Sequence, residues 1–172
     1  FGPARVLRPL AWFDTIDPED PIAQTEGVEA FRLRFFPSNS LALWTWIMKD
    51  VSDTLSYGGR GELSTSVGEW GFTFYQDPSN SLQPIGQLGN SISSPHNRLA
   101  IDYRYDGSIG LWNESSLIQS DNLELGMITV GVDYTLPIAN GILVMSESMH
   151  ISSKKTNSTS SQTFTAFMAS IP

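Results

Sequence analysis

The sequence predicts an all-β chain of antiparallel, up-and-down strands, of the kind that crosses a membrane as a β-barrel. Three observations carry that expectation. Apolar residues recur with period two in segment after segment, separated by short clusters of Gly, Pro, Asn and Ser, and a helical period is nearly absent. Charged residues make up only 16% of the 172 residues, below the roughly 25% of an ordinary soluble domain. No run of about 18 apolar residues exists, which excludes a helical membrane span but not barrel strands, whose two faces average to an ordinary composition.

The bulk numbers exclude some functions. A formal charge of −8 leaves no basic stripe to neutralise phosphates, so no nucleic-acid partner is expected. With no cysteine, neither a disulfide framework nor a thiolate metal site is available, and nothing points to a cofactor.

Residues 1–27 read as an irregular loop segment, because Pro3, Pro9, Pro18 and Pro21 interrupt any regular strand. Residues 28–172 read as barrel strands and loops. Val28–Phe36 sets Phe31, Leu33 and Phe35 against Ala30, Arg32 and Arg34. After a turn at Pro37–Ser40, Leu41–Met48 places Ala42, Trp44, Trp46 and Met48 on one face. A longer connection, Lys49–Gly59, precedes a hairpin of Glu62–Ser66 and Glu69–Gln76, in which Trp70, Phe72 and Phe74 oppose Gly71, Thr73 and Tyr75. The longest loop is Asp77–Asn97. In Arg98–Tyr105, Leu99, Ile101, Tyr103 and Tyr105 alternate with Arg98, Ala100, Asp102 and Arg104. Asp106-Gly107 is a two-residue hairpin signal leading into Ser108–Ile118. Gln119–Asn122 opens Leu123–Leu136, where Ile128, Val130, Val132 and Tyr134 alternate with Met127, Thr129, Gly131 and Asp133. Pro137–Gly141 leads to Ile142–Ser152, and the loop Ser153–Ser161 to Gln162–Ile171; these last two strands carry apolar residues at both parities.

Three features favour a membrane barrel over a soluble sandwich. The less apolar face mixes Arg32, Arg34, Arg98, Asp102, Arg104, Glu114 and Asp133 with glycine and alanine, which suits a crowded polar lumen; these seven are the candidate pore-lining and selectivity residues. Tight turns near Pro37, Val67, Asp106 and Pro137 alternate with the longer Lys49–Gly59, Asp77–Asn97 and Ser153–Ser161, as periplasmic turns alternate with extracellular loops. Trp44, Trp46, Trp70, Tyr103, Tyr105 and Tyr134 lie mostly near strand ends, where aromatics meet lipid headgroups.

The stretch from Phe1 to Leu10, with Asp17–Pro21 and Glu26-Gly27-Val28, resembles the segment of porin-like and alginate-export-like Gram-negative outer-membrane proteins in which a loop precedes a strand. Gly107–Glu114 and Gly131–Pro137, leading to Asn140-Gly141, resemble lumen-lining strands of the same broad class. The resemblance implies a bacterial outer-membrane location, with outer-membrane lipid and other barrel subunits or an outer-membrane complex as partners. Together with the charged lumen set, it gives the expectation of a non-enzymatic channel or exporter for a small polar or anionic solute. About nine strands are expected from Val28 onward, an odd number where single-chain bacterial barrels have an even one, so an arc of a larger barrel is expected.

The alternatives are a soluble carbohydrate-binding sandwich or jelly roll using Trp44, Trp46, Trp70 and Trp112 as stacking faces, and a barrel whose interior is plugged. Other candidate chemistry is weaker. His150 and Ser152 share a strand face, as a hydrolase pair would, but lack the neighbouring Asn-Gly. Asp14, Asp17, Glu19 and Asp20 lack calcium-loop spacing. Glu62 and Glu69 read more simply as surface carboxylates than as a glycosidase pair.

Overall fold

A computed structural model describes residues 2–12, 29–49, 53–80, 83–85, 90–138 and 141–170. The strands are β1 (Ala30–Ser38), β2 (Leu41–Lys49), β3 (Leu55–Thr65), β4 (Gly68–Asp77), β5 (Gln83–Ile85), β6 (Asn90–Ile92), β7 (His96–Asp106), β8 (Gly110–Ser120), β9 (Leu123–Leu136), β10 (Ile142–Lys155) and β11 (Ser158–Ser170). Nine of them form one antiparallel sheet in chain order, from β1 to β4 and on from β7 to β11, while β5 and β6 pair apart as a small hairpin. Among the described residues there is no helix. β1 and β11 stand at the two ends of the sheet, which is an open arc.

Strand limits differ from the sequence expectation where glycine looked like loop. β3 starts at Leu55, because Gly58 lies directly opposite Trp46 and a side chain there would run into the indole ring. The glycines of that run make room for β2 rather than break the strand. The Asp106-Gly107 hairpin closes on an Asp106–Gly110 pair, so its loop has one residue more than the two-residue turn expected there. At the opposite end, Ser120 pairs with Leu123 and Lys155 with Ser158. The expected loop Ser153–Ser161 is thus mostly strand with a tight turn, and the alternation of short and long connections holds only in the first half of the chain.

Cross-strand register sorts the side chains into two populations. One row of direct partners runs Phe35, Leu43, Gly61, Phe72, Ile101, Ser115, Ile128. The next runs Ala42, Glu62, Gly71, Asp102, Glu114, Thr129, Met149. The first is apolar yet exposed, with Phe35 at 65% and Phe72 at 52%. The second is largely buried, with Glu114 and Thr129 at 0%.

What buries it is residues 2–12, which lie on that face without forming a strand. Trp12 packs with Trp46, Met48 and Tyr75, while the Leu7 carbonyl accepts from Thr129 Oγ1 at 2.9 Å. Strands β2 and β9 are five sheet positions apart, about 24 Å if the sheet were flat. The chain from Leu7 to Trp12 spans at most about 18 Å, and a turn closed by Ala11 N–H to the Arg8 carbonyl shortens it. The sheet therefore curls around this strap, and the strap side is the inner face.

The inner face is not uniformly polar. Ile92, Ile118, Leu125, Met127, Met149 and Ile151 form an apolar cluster joined by Leu7 of the strap. This resolves the two-sided apolar pattern of β10, whose Met145, Glu147, Met149 and Ile151 point inward.

Candidate functional site: a strap held by two carboxylates over a charged wall

Alternation along β8 and β10 delivers one glutamate from each to the inner face, and both are fully buried. Glu147 accepts the N–H groups of Arg5 at 2.6 Å and of Val6 and Leu7 at 2.8 Å each. It also accepts the Trp112 indole N–H at 3.1 Å. Glu114 accepts the N–H groups of Ala4 at 3.0 Å and Leu10 at 2.5 Å. A strap with no sheet partner has backbone donors to satisfy, and a buried carboxylate needs donors to stay buried. Each requirement meets the other.

The Trp112 bond depends on a glycine. Trp112, Gly131 and Glu147 are direct partners across β8, β9 and β10, and a Cβ on Gly131 would run into the indole. Its absence lets the ring lie across β9 to reach Glu147.

A second polar cluster sits on β3, β4 and β7. Arg60 makes a two-pronged pair with Asp102, at 2.6 and 2.9 Å, and also donates to Thr73 at 2.8 Å and Glu62 at 2.9 Å. The pair passes over Gly71, where a side chain would meet both groups. Gly71→Ala should therefore lower stability by about 1–3 kcal/mol through overpacking. Gly126→Ala, on the outer face where a Cβ would meet only the Ser152 carbonyl oxygen at an ordinary 4.0 Å, should stay within about 0.5 kcal/mol. Urea midpoints for the two variants check this, and equal effects would contradict the packing described.

All seven candidate lumen residues lie on the inner side. Arg32 and Arg34 stack on Trp44, 4.9 and 4.3 Å from the ring centre, and Arg34 also pairs with Glu62 at 3.5 Å. Arg98 is 1% exposed and lies over Trp12 and Tyr75. It donates to His96 Nε2 at 3.0 Å, while His96 Nδ1 donates to the Ser94 carbonyl at 2.9 Å. Arg104 pairs with Asp106 at 2.6 Å and Asp133 at 3.8 Å. The arginines thus form no bare positive ladder, because carboxylates and aromatic rings are interleaved with them.

The aromatic set divides. Trp70, Tyr103, Tyr105 and Tyr134 lie on the outer face near the turns that end at Gly68, Gly110 and Ile142, with Trp70 and Tyr103 in ring contact at 4.4 Å. Trp44 and Trp46 do not belong with them: both share the inner parity of β2, and Trp46 is 4% exposed beneath the strap. Trp46 is covered by the strap and Trp44 by Arg32 and Arg34, so these two indoles sit on the face opposite the other four aromatics. His150 faces outward, its Nδ1 3.0 Å from Thr163 Oγ1. The acidic run Asp14–Asp20 lies outside the described residues. Among the described residues no group of His, Asp and Glu could hold a metal ion.

Glu147, Arg60 and the strap itself were missed in the sequence. Glu147 had a signal, as the one charged residue between Ile142 and Ser152. Arg60 had one too, flanked by Gly59 and Gly61.

Fold and inner face define a class, an up-and-down antiparallel arc wrapped around its own N-terminal segment. No family model, curated protein or solved structure matches the chain.

Proposed function

We propose that this chain is part of the wall of a membrane-spanning β-barrel of the porin-like and alginate-export-like class, in a Gram-negative outer membrane. In this reading it is a channel or exporter component lining a route for a small polar or anionic solute, and it performs no catalysis. The observation that carries the reading is sidedness. Large apolar side chains such as Phe31, Phe72, Leu99, Ile128 and Val130 are exposed on the outer face, while Arg60, Arg98, Asp102, Glu114 and Glu147 are buried on the inner one. A soluble sheet would be penalised by that inversion; a lipid-facing wall requires it. Strands of 9 to 14 residues in the main sheet suit the roughly 9–11 residues of a tilted span. Outer-membrane lipid is then the outer partner, with other barrel subunits or an outer-membrane complex completing the wall.

The strap favours a second reading within the same class, a barrel whose interior is plugged at this level. The soluble carbohydrate-binding alternative keeps only Trp44 and Trp70 as accessible stacking faces, because Trp46 and Trp112 are 4% and 3% exposed.

The test is Val130→Arg. Facing hydrocarbon, an arginine near the midplane should cost about 2–4 kcal/mol. On a water-facing sheet the same change should stay within about 0.5 kcal/mol. Unfolding in lipid vesicles separates the two, and a neutral result would end the membrane reading.

A further inference from the structure

Between Gly2 and Pro3 of the strap and strands β1 to β4 and β7, near the β1–β2 and β3–β4 turns, lies an open cavity of about 490 Å³, within the range of small-ligand sites, about 300–1,000 Å³. Its charged lining consists of Arg34, Arg60 and Arg104 with Glu62, Glu69 and Asp102. Three cations meet three carboxylates, so the wall is electroneutral.

The pairing matters more than the total. Arg60 is engaged by Asp102 and Glu62, Arg34 by Glu62 at 3.5 Å, and Arg104 by Asp106 and Asp133. An entering anion would have to displace a carboxylate from an arginine and would then face that carboxylate at short range. A neutral solute with several hydroxyls meets no such opposition. Each hydroxyl can accept from an Arg34 or Arg104 guanidinium N–H and donate to a carboxylate oxygen, since a guanidinium offers five donors and a carboxylate about four acceptor sites. Arg34 is also positioned in advance, between Trp44 at 4.3 Å and Phe36 at 4.6 Å, which limits the ordering cost of using its donors.

We infer that this cavity binds an uncharged, hydroxyl-rich solute of short-carbohydrate size in preference to an anion. The inference narrows the solute class proposed above and rests on that reading for its place at the mouth of a barrel interior.

Isothermal titration of the full-length chain in detergent micelles, with sucrose and with inorganic phosphate as probes, tests it. Sucrose should bind saturably, and phosphate at least about tenfold more weakly. Glu62→Gln removes the carboxylate shared by Arg34 and Arg60; sucrose should weaken about tenfold, and phosphate should become the better ligand. Glu69→Gln, at the exposed rim, should move the preference the same way if Glu62→Gln fails to fold. Phosphate binding the unaltered chain as tightly as sucrose overturns the inference, as do absent sucrose binding and variants that leave the order unchanged. The same samples report the barrel reading separately, through a heat-dependent shift on a denaturing gel. A shift without sucrose binding removes only the solute class. Sucrose binding without a shift removes only the barrel.

Discussion

Replacing Glu147 with leucine should release the strap. The carboxylate serves three backbone N–H groups and one indole N–H, and a donor stripped of its partner in a buried setting costs about 1–3 kcal/mol. The strap can recover those bonds only from water, which means leaving the wall and exposing Leu10 and Trp12, each 1% exposed when docked. Hydrogen exchange at the Arg5, Val6 and Leu7 amides should accelerate on the order of a hundredfold, equivalent to about 2.7 kcal/mol of lost protection. Glu147→Gln keeps one acceptor oxygen and should fall between. Glu114→Leu should act less strongly, since two amides depend on it. Unchanged exchange at Arg5–Leu7 in Glu147→Leu would mean that apolar contacts alone hold the strap. If the inner face lines a passage, the released form should also conduct more in planar bilayers.

The same strap explains which features were legible in the sequence. On β4 and β7 the outer face is largely apolar and the inner face is mostly polar or small, so alternation alone assigns both faces and the charged wall with them. On β2 the pattern is ambiguous, because Leu41, Leu43 and Ile47 oppose Ala42, Trp46 and Met48 and both sets are apolar. The exposed outer wall and the inner wall facing Trp12 carry the same kind of side chain. No period-two reading can tell which apolar face meets which cover, and so the inner placement of Trp44 and Trp46 is not legible from β2 alone. β10 has the same difficulty, with Met145 and Met149 inside and Val144 outside. Residues 2–12 were unreadable for a further reason. Their prolines correctly deny a strand, but a non-strand segment held by distant glutamates leaves no local periodicity, and the contacts reach across more than a hundred residues of sequence.

Asp102→Ala should be the most destabilising single change on the wall beyond the strap. Arg60 and Asp102 have side chains only 6% and 9% exposed, and the two-pronged pairing satisfies most of the guanidinium's donors on one side. Removing the carboxylate leaves a buried arginine that still donates to Thr73 at 2.8 Å and to the more exposed Glu62 at 2.9 Å, and breaking a buried pair from one side costs about 3–5 kcal/mol. Removing both charges should not be additive. Arg60→Met combined with Asp102→Leu replaces two desolvated ions with apolar volume and should return to within about 1 kcal/mol of the original, or exceed it. Equilibrium unfolding of the two singles and the double, each at low and high salt, completes the cycle. The pair energy should be nearly independent of salt, because screening acts weakly on charges withdrawn from water. A single-variant loss below about 1 kcal/mol that shrinks further with added salt would place the pair in a wide, water-filled lumen, and the inner face would then be an open pore lining rather than a packed interior closed by its own N-terminal strap.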